Sequence, residues 1–169
     1  MKYLILFFLF VISLNSQLYN KEEYNVWKMH KCDTRDLILL KENYDMQFKG
    51  NVCDIKEGRW FVEYSNEFFT NSSLIDVDHI IPLRYAHEMG AAKWSKRKRE
   101  TFANDLENLI ISSRKDNRTK KDRGPSEWMP RYNRCAYVVN WQKISTKYQL
   151  RLKASDLTVI ENTIKEECQ

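Results

Sequence analysis

Glycine and proline are scarce, 4 and 3 of 169 residues, which argues against a long flexible linker and against a turn-rich β-sandwich. With 3 histidines and no Cys-x-x-Cys pair, a structural zinc site has little to be built from. The one extended apolar run, Tyr3 to Leu14, falls short of the ~20 residues that a membrane-spanning helix needs. Neither charge dominates: 28 Lys+Arg stand against 23 Asp+Glu, a formal net charge of +5. What is present is 43% hydrophobic and 13% aromatic residues, enough to fill a core and to exclude a disordered or collagen-like chain. At this length that means one domain.

The short run has its own reading. Lys2 is the sole charge before Lys21, and the apolar stretch ends in polar Asn15, Ser16 and Gln17. A charged start, a short apolar segment and a small-residue exit describe a secretory signal peptide. Residues 1–16 are therefore expected to be removed, leaving 17–169 as a secreted, extracellular domain with no membrane attachment. Export gives the four cysteines an oxidising setting, where an even number reads as two disulfides. Of the three pairings, Cys32–Cys53 with Cys135–Cys168 closes the most local loops and is the one expected.

Helical spacing at Leu37, Ile38, Leu40 and Tyr44 predicts a helix from Thr34, capped by Asp33 or Thr34. Strands are predicted over Arg59–Tyr64, around Phe68–Phe69 after a polar turn, over Ile75–Ile81 up to Pro82, and over Leu106–Ile111. Further helices are predicted over Arg84–Met89, Trp94–Phe102, Tyr132–Leu152 and Asp156–Glu166. The fold class is a single compact α+β domain. Charge is uneven along it: residues 93–134 hold 13 Lys/Arg and 6 Asp/Glu, net +7, leaving −2 for the remainder. Trp94, Phe102, Trp128 and Tyr132 are interleaved with that charge, a composition that suits a surface tracking phosphates; a merely solvated helix face is the plainer reading.

The chemistry concentrates in Asp78-His79-Ile80-Ile81-Pro82, then Asn108-Leu109-Ile110, then Asp116-Asn117-Arg118-Thr119-Lys120. Phosphodiester hydrolysis needs a group that takes a proton from water near neutral pH, which suits His79. It also needs a hard cation on the phosphate and leaving oxygen, which takes oxygen ligands such as Asp78 and Asn117. Asn108 can brace a loop through its carboxamide. Lys120 or Arg118 can offset phosphate charge.

This ordered set resembles the HNH (ββα-metal) nucleases, in which Asp-His on the first strand, a middle Asn, and a final Asn or His form the site. It is more similar still to the secreted HNH family related to the C-terminal domain of GmrSD-type restriction proteins. The likeness runs through Asp76 to Leu83, Ala86, Gly90-Ala91, Trp94, Arg99, Phe102 to Leu109, Asn117, Lys120 or Lys121, Asp122, Pro125, Trp128-Met129-Pro130, Cys135, Tyr137 and Trp141. Upstream, Cys32-Asp33-Thr34-Arg35 and Cys53 through Gly58-Arg59-Trp60 extend it, so that it is strongest over 31–150. The resemblance implies a ββα-metal hairpin–helix core with flanking helices. It implies His79 as general base, Asp78 and Asn117 as metal ligands, and Asn108 as the residue that orients the catalytic loop. Substrate contacts would come from Arg99, Arg118, Lys120 and Lys121. The cofactor would be a divalent ion, magnesium first, with manganese or calcium as alternatives. The partner would be nucleic acid, DNA or also RNA, cut with little sequence preference; because a neutral imidazole is the working form of the base, cleavage is expected to slow below about pH 6.

Neighbours on a regular strand face opposite ways, so Asp78 and His79 serve one site only if it lies at the strand end. Two other function classes fit the same composition. One is a non-catalytic nucleic-acid-binding protein of the same fold; the other is a disulfide-stapled interaction protein. Neither needs the Asp78, His79, Asn108 and Asn117 set. Asn71-Ser72-Ser73 and Asn117-Arg118-Thr119 both match the N-glycosylation acceptor, with Asn71 the better placed. His87 reads as a helix-face residue, His30 as exposed, Trp60, Trp94, Trp128 and Trp141 as core, with Trp128 able to stack on a base. Asp76 reads either as a brace for Asp78 or as a turn residue.

Overall fold

The computed structural model describes residues 18–27, 32–44 and 53–168; the expected signal segment and His30 lie outside them. The chain enters through a 3₁₀ turn at Lys21–Tyr24 and then α1 (Thr34–Lys41), whose Asp33 cap accepts a hydrogen bond from the Asp36 N–H. β1 (Glu57–Val62) and β2 (Glu67–Asn71) form one antiparallel ribbon. β3 (Ile75–His79) pairs in antiparallel register with β4 (Leu109–Ser113), Ile75 opposite Ser113 and His79 opposite Leu109. Between them lie α2 (Leu83–Glu88) and α3 (Lys96–Ala103). α4 (Arg114–Lys120) follows β4 directly, Ser113 capping it by accepting from the Asp116 N–H. α5 (Arg134–Tyr148) and α6 (Ala154–Glu167) close the chain.

Period-two alternation gives the β3–β4 ribbon one apolar face, and a second apolar cluster gathers beyond the end of β3. Ile75, Val77, Leu109 and Ile111 pack with Ile38, Leu39, Trp60 and Val62. Just beyond the end of β3, Ile80 and Ile81 enter a larger cluster of Tyr85, Phe102, Val138, Trp141 and Ile144. The other face of β3 carries Asp76 and Asp78, and α4 lies against it. The result is an α+β unit with a small sheet component and two disulfides, Cys32–Cys53 and Cys135–Cys168, the pairing expected from loop locality. The second bridge joins the start of α5 to the residue after α6.

Most predicted elements stand within a few residues of their expected bounds, and two differences have clear causes. β4 begins at Leu109 rather than Leu106, because Asp105 caps a 3₁₀ turn over Leu106–Asn108 by accepting from the Glu107 N–H. α5 stops at Tyr148 rather than Leu152, because Gln149 takes a left-handed conformation with φ 56°. Among the described residues no helix is long and apolar enough to cross a membrane.

Candidate active site

The end of β3 does what strand alternation alone could not promise. Asp78 points at α4, whereas His79, the last strand residue, turns its ring toward the end of α3. Both line a cavity of about 520 Å³, together with Asp76, Asn117 and Lys121. His79 Nε2 lies 2.8 Å from the Ala103 carbonyl oxygen. A carbonyl can only accept, so Nε2 carries the proton and Nδ1 keeps the lone pair of the neutral ring. The Trp27 indole stacks on the imidazole, centroids 5.8 Å apart. Burial, helped by Lys120 and Lys21 and opposed by the Ala103 carbonyl, holds the imidazole pKa down to about 4.

Asn108 is fully buried and holds the chain just after β3. Its Oδ1 accepts from the Ile81 N–H at 2.9 Å, its Nδ2 donates to the Ile81 carbonyl at 3.3 Å, and its own carbonyl accepts from the Ile80 N–H. The carboxamide thereby fixes the direction in which the strand releases His79.

α4 meets β3 in two rungs. Asn117 Nδ2 donates to Asp76 Oδ2 at 3.0 Å, and Lys120 Nζ lies 2.9 Å from Asp78 Oδ2. A three-residue step along a helix and a two-residue step along a strand each keep one face, so the rungs come from the geometry of both elements. Lys120 Nζ also donates to the His79 carbonyl at 2.7 Å. Burial pushes the Asp78 carboxyl above its ordinary pKa, and Lys120 and the His79 N–H pull against that shift.

Two expected substrate contacts are corrected here. Lys120 has 0% of its side chain exposed and neutralises Asp78 from within, so it does not meet a phosphate at the surface. Arg99 is buried as well, donating to the Trp94 carbonyl at 2.8 Å and ion-paired with Glu23 at 3.1 Å. It ties the N-terminal segment to α3. Arg118 is exposed on α4, and Lys121 is exposed at the cavity wall. Two cations to which the sequence assigned no role at the site, Lys21 and Arg35 (the latter within the Cys32-Asp33-Thr34-Arg35 likeness), join Lys121 in lining the cavity. Trp27 and Lys21 come more than fifty residues before His79, and no local spacing could have revealed the contact. Asn104 Nδ2, donating to the Asn25 carbonyl, helps to hold that segment in place.

His87 stands on the buried face of α2, with Nδ1 3.0 Å from the Tyr24 hydroxyl. Trp128 packs edge-on against Tyr64 and Tyr137, and its Nε1 donates to Thr119, so it braces α4. Trp60 and Trp141 are core. Asn71 is exposed, whereas the Asn117 nitrogen that would carry a glycan is bonded to Asp76.

The donors lining the cavity are hard: the carboxylates of Asp76, Asp78 and Asp122 and the carboxamide of Asn117, with one imidazole and no thiolate. Among the described residues no three His, Cys, Asp or Glu side chains stand close enough to hold a metal by themselves. That donor set suits an ion that keeps several waters and takes phosphate oxygens, as magnesium does, and it does not suit zinc.

Three comparisons bear on identity. No solved structure matches the chain. A protein of Arthroderma benhamiae titled "Uncharacterized secreted protein" is 33% identical over 137 residues, covering 79% of this chain and 67% of that protein. A family model described as "GmrSD restriction endonucleases, C-terminal domain" matches residues 13–154. The chain belongs to the GmrSD C-terminal domain family.

Proposed function

We propose that the protein is a secreted, divalent-metal-dependent endonuclease that hydrolyses phosphodiester bonds of DNA, and of RNA where it can enter, with little sequence preference. One observation carries the reading. His79, whose Nε2 is anchored on a backbone carbonyl so that Nδ1 keeps the lone pair, lines the cavity that Asp78, Asp76 and Asn117 also line. Membership in a family named for restriction endonucleases supports the reaction class. Two disulfides, and the secreted title of the Arthroderma relative, support export.

In this reading His79 takes a proton from the attacking water at Nδ1, and the Ala103 carbonyl steadies the ring as it becomes cationic. Asn108 holds the segment after the base in register, so the lone pair keeps its aim. Asp78 and Asn117 are the residues that would hold the ion, with Asp76 orienting Asn117. When bound, the ion supplies Lewis-acid stabilisation of charge on the phosphate and the departing oxygen. Lys120 compensates the Asp78 charge from behind while the cavity face of that carboxylate stays available. Lys21, Arg35 and Lys121 attract the phosphodiester backbone to the cavity. The pair β3–β4 with α4 is then the hairpin–helix core of an HNH site.

The test is cleavage by variants. His79→Ala and Asn117→Ala should each lower plasmid nicking by at least 100-fold while DNA binding in chelator stays within a few-fold. Full activity of His79→Ala would refute the assignment.

A further inference from the structure

A second cavity, about 410 Å³, opens at the first turn of α4, whereas the catalytic cavity meets Asn117 and Lys121 further along. Its volume falls within the ~300–1,000 Å³ usual for small-molecule sites. Arg114, Lys115 and Arg131 line it beside the apolar surfaces of Phe69, Leu74 and Tyr132. Tyr132 is 39% exposed, and the Arg131 guanidinium stands 5.3 Å from its ring centroid. Two carboxylates also face it, but Asp116 is engaged by the Ser113 hydroxyl at 2.7 Å, so the balance remains positive.

Two further details point to a ligand. Tyr64 and Ser65 line the cavity, and their hydroxyl oxygens are buried without a hydrogen-bond partner among the described residues. Buried polar groups are normally satisfied, and because these two oxygens have almost no accessible surface, a polar ligand or its water would reach them only through a small movement of the cavity wall. The second is adjacency. Arg114 Nε lies 3.7 Å from Asp76 Oδ1, and Asn117 Nδ2 lies 3.0 Å from the other oxygen of that carboxylate. Arg114 of this cavity is therefore paired with Asp76 of the catalytic one, so the two cavities adjoin through that ion pair.

We propose that this cavity is a substrate subsite for one unpaired nucleotide, its base against Tyr132 and its flanking phosphates on Arg131, Arg114 and Lys115. The proposal rests on the nuclease reading and names what that reading leaves open. A base held in a duplex cannot stack on a tyrosine, so the enzyme favours single-stranded or frayed segments.

The experiment measures fluorescence anisotropy of a labelled 12-nucleotide oligothymidylate and of a 12-base-pair duplex, in chelator, for wild type, Tyr132→Ala and Tyr132→Phe. Magnesium-dependent plasmid nicking is followed in parallel. Stacking on an aromatic predicts a loss of about 5- to 100-fold in single-strand affinity for Tyr132→Ala, with duplex affinity within twofold and Tyr132→Phe near wild type. A loss below twofold, or an equal loss for both ligands, overturns the subsite. Should Tyr132→Ala fold poorly, Arg131→Ala replaces it, and the salt slope of single-strand binding should fall by about one; an unchanged slope overturns the subsite. Tyr132-dependent binding without nicking by any form would leave the subsite standing and defeat the nuclease reading. Nicking by wild type with Tyr132-independent binding would do the reverse.

Discussion

Replacing Lys120 by Met removes the ammonium but keeps much of the aliphatic volume. In the native protein Nζ sits 2.9 Å from Asp78 Oδ2 and 2.7 Å from the His79 carbonyl, with none of the side chain exposed. The Asp78 side chain is 8% exposed, so the substitution strands a carboxylate that water reaches only through the cavity. Removing one partner of a buried pair costs about 3–5 kcal/mol. The cavity edge of Asp78 relieves part of that, so a loss of about 3 kcal/mol is expected. Burial already raises the Asp78 pKa, and without Lys120 it rises further. A raised carboxyl binds its proton more readily in the folded state, so stability falls as pH rises through the interval above the unfolded value. The deficit of Lys120→Met should therefore be larger at pH 7 than at pH 4. Urea unfolding at both pH values measures it, and an unchanged m-value confirms that the comparison is sound. Adding Asp78→Asn should restore most of the loss, because no charge is then left buried. A deficit below 1 kcal/mol, or one that the second substitution does not relieve, would refute the pairing.

Other consequences are equally direct. The His79 pKa of about 4 predicts that the acid limb of kcat/KM lies well below pH 6, the limit an ordinary histidine would set; a midpoint near 6.5 in a pH–rate profile would contradict the partly buried, carbonyl-anchored ring. Asn108→Ala removes both carboxamide bonds to Ile81 and should cost about 1–3 kcal/mol in urea unfolding, with a fall in kcat that Asn108→Gln does not rescue. Gly124→Ala would drive its Cβ onto the Asp156 carboxylate, which accepts from the Ser126 N–H and the Tyr85 hydroxyl; a melting temperature unchanged from wild type would show that this loop can yield. Breaking Cys135–Cys168 with paired alanines should cost about 3–4 kcal/mol, given the 33 residues it spans, and the same unfolding assay reports it.

What the sequence made legible were features set by local rules. Asp33 capping α1, the period-two run that became β3, and the near-local disulfides all follow from spacing and composition. The Asp78, His79, Asn108 and Asn117 order was visible because each type answers a stated chemical need. What stayed hidden was the pairing of charge. Lys120 and Lys121 are neighbours of one type, yet one is sealed behind Asp78 and the other is exposed. The difference is the phase of α4 against β3, which no count of lysines reveals. Arg99 was unreadable for the same reason: its partners are two carbonyls and Glu23, far upstream. Lys21, Trp27 and Arg35 reach the cavity through tertiary packing alone.

The central claim is that this cavity cuts phosphodiester bonds with the help of a divalent ion. Purified protein lacking residues 1–16, incubated with supercoiled plasmid at neutral pH, tests it most directly. Magnesium should convert the plasmid to open-circular and then linear forms, and chelator should stop the conversion. Plasmid that stays supercoiled with magnesium, manganese and calcium alike, in the presence of folded and disulfide-bonded protein, would contradict the account.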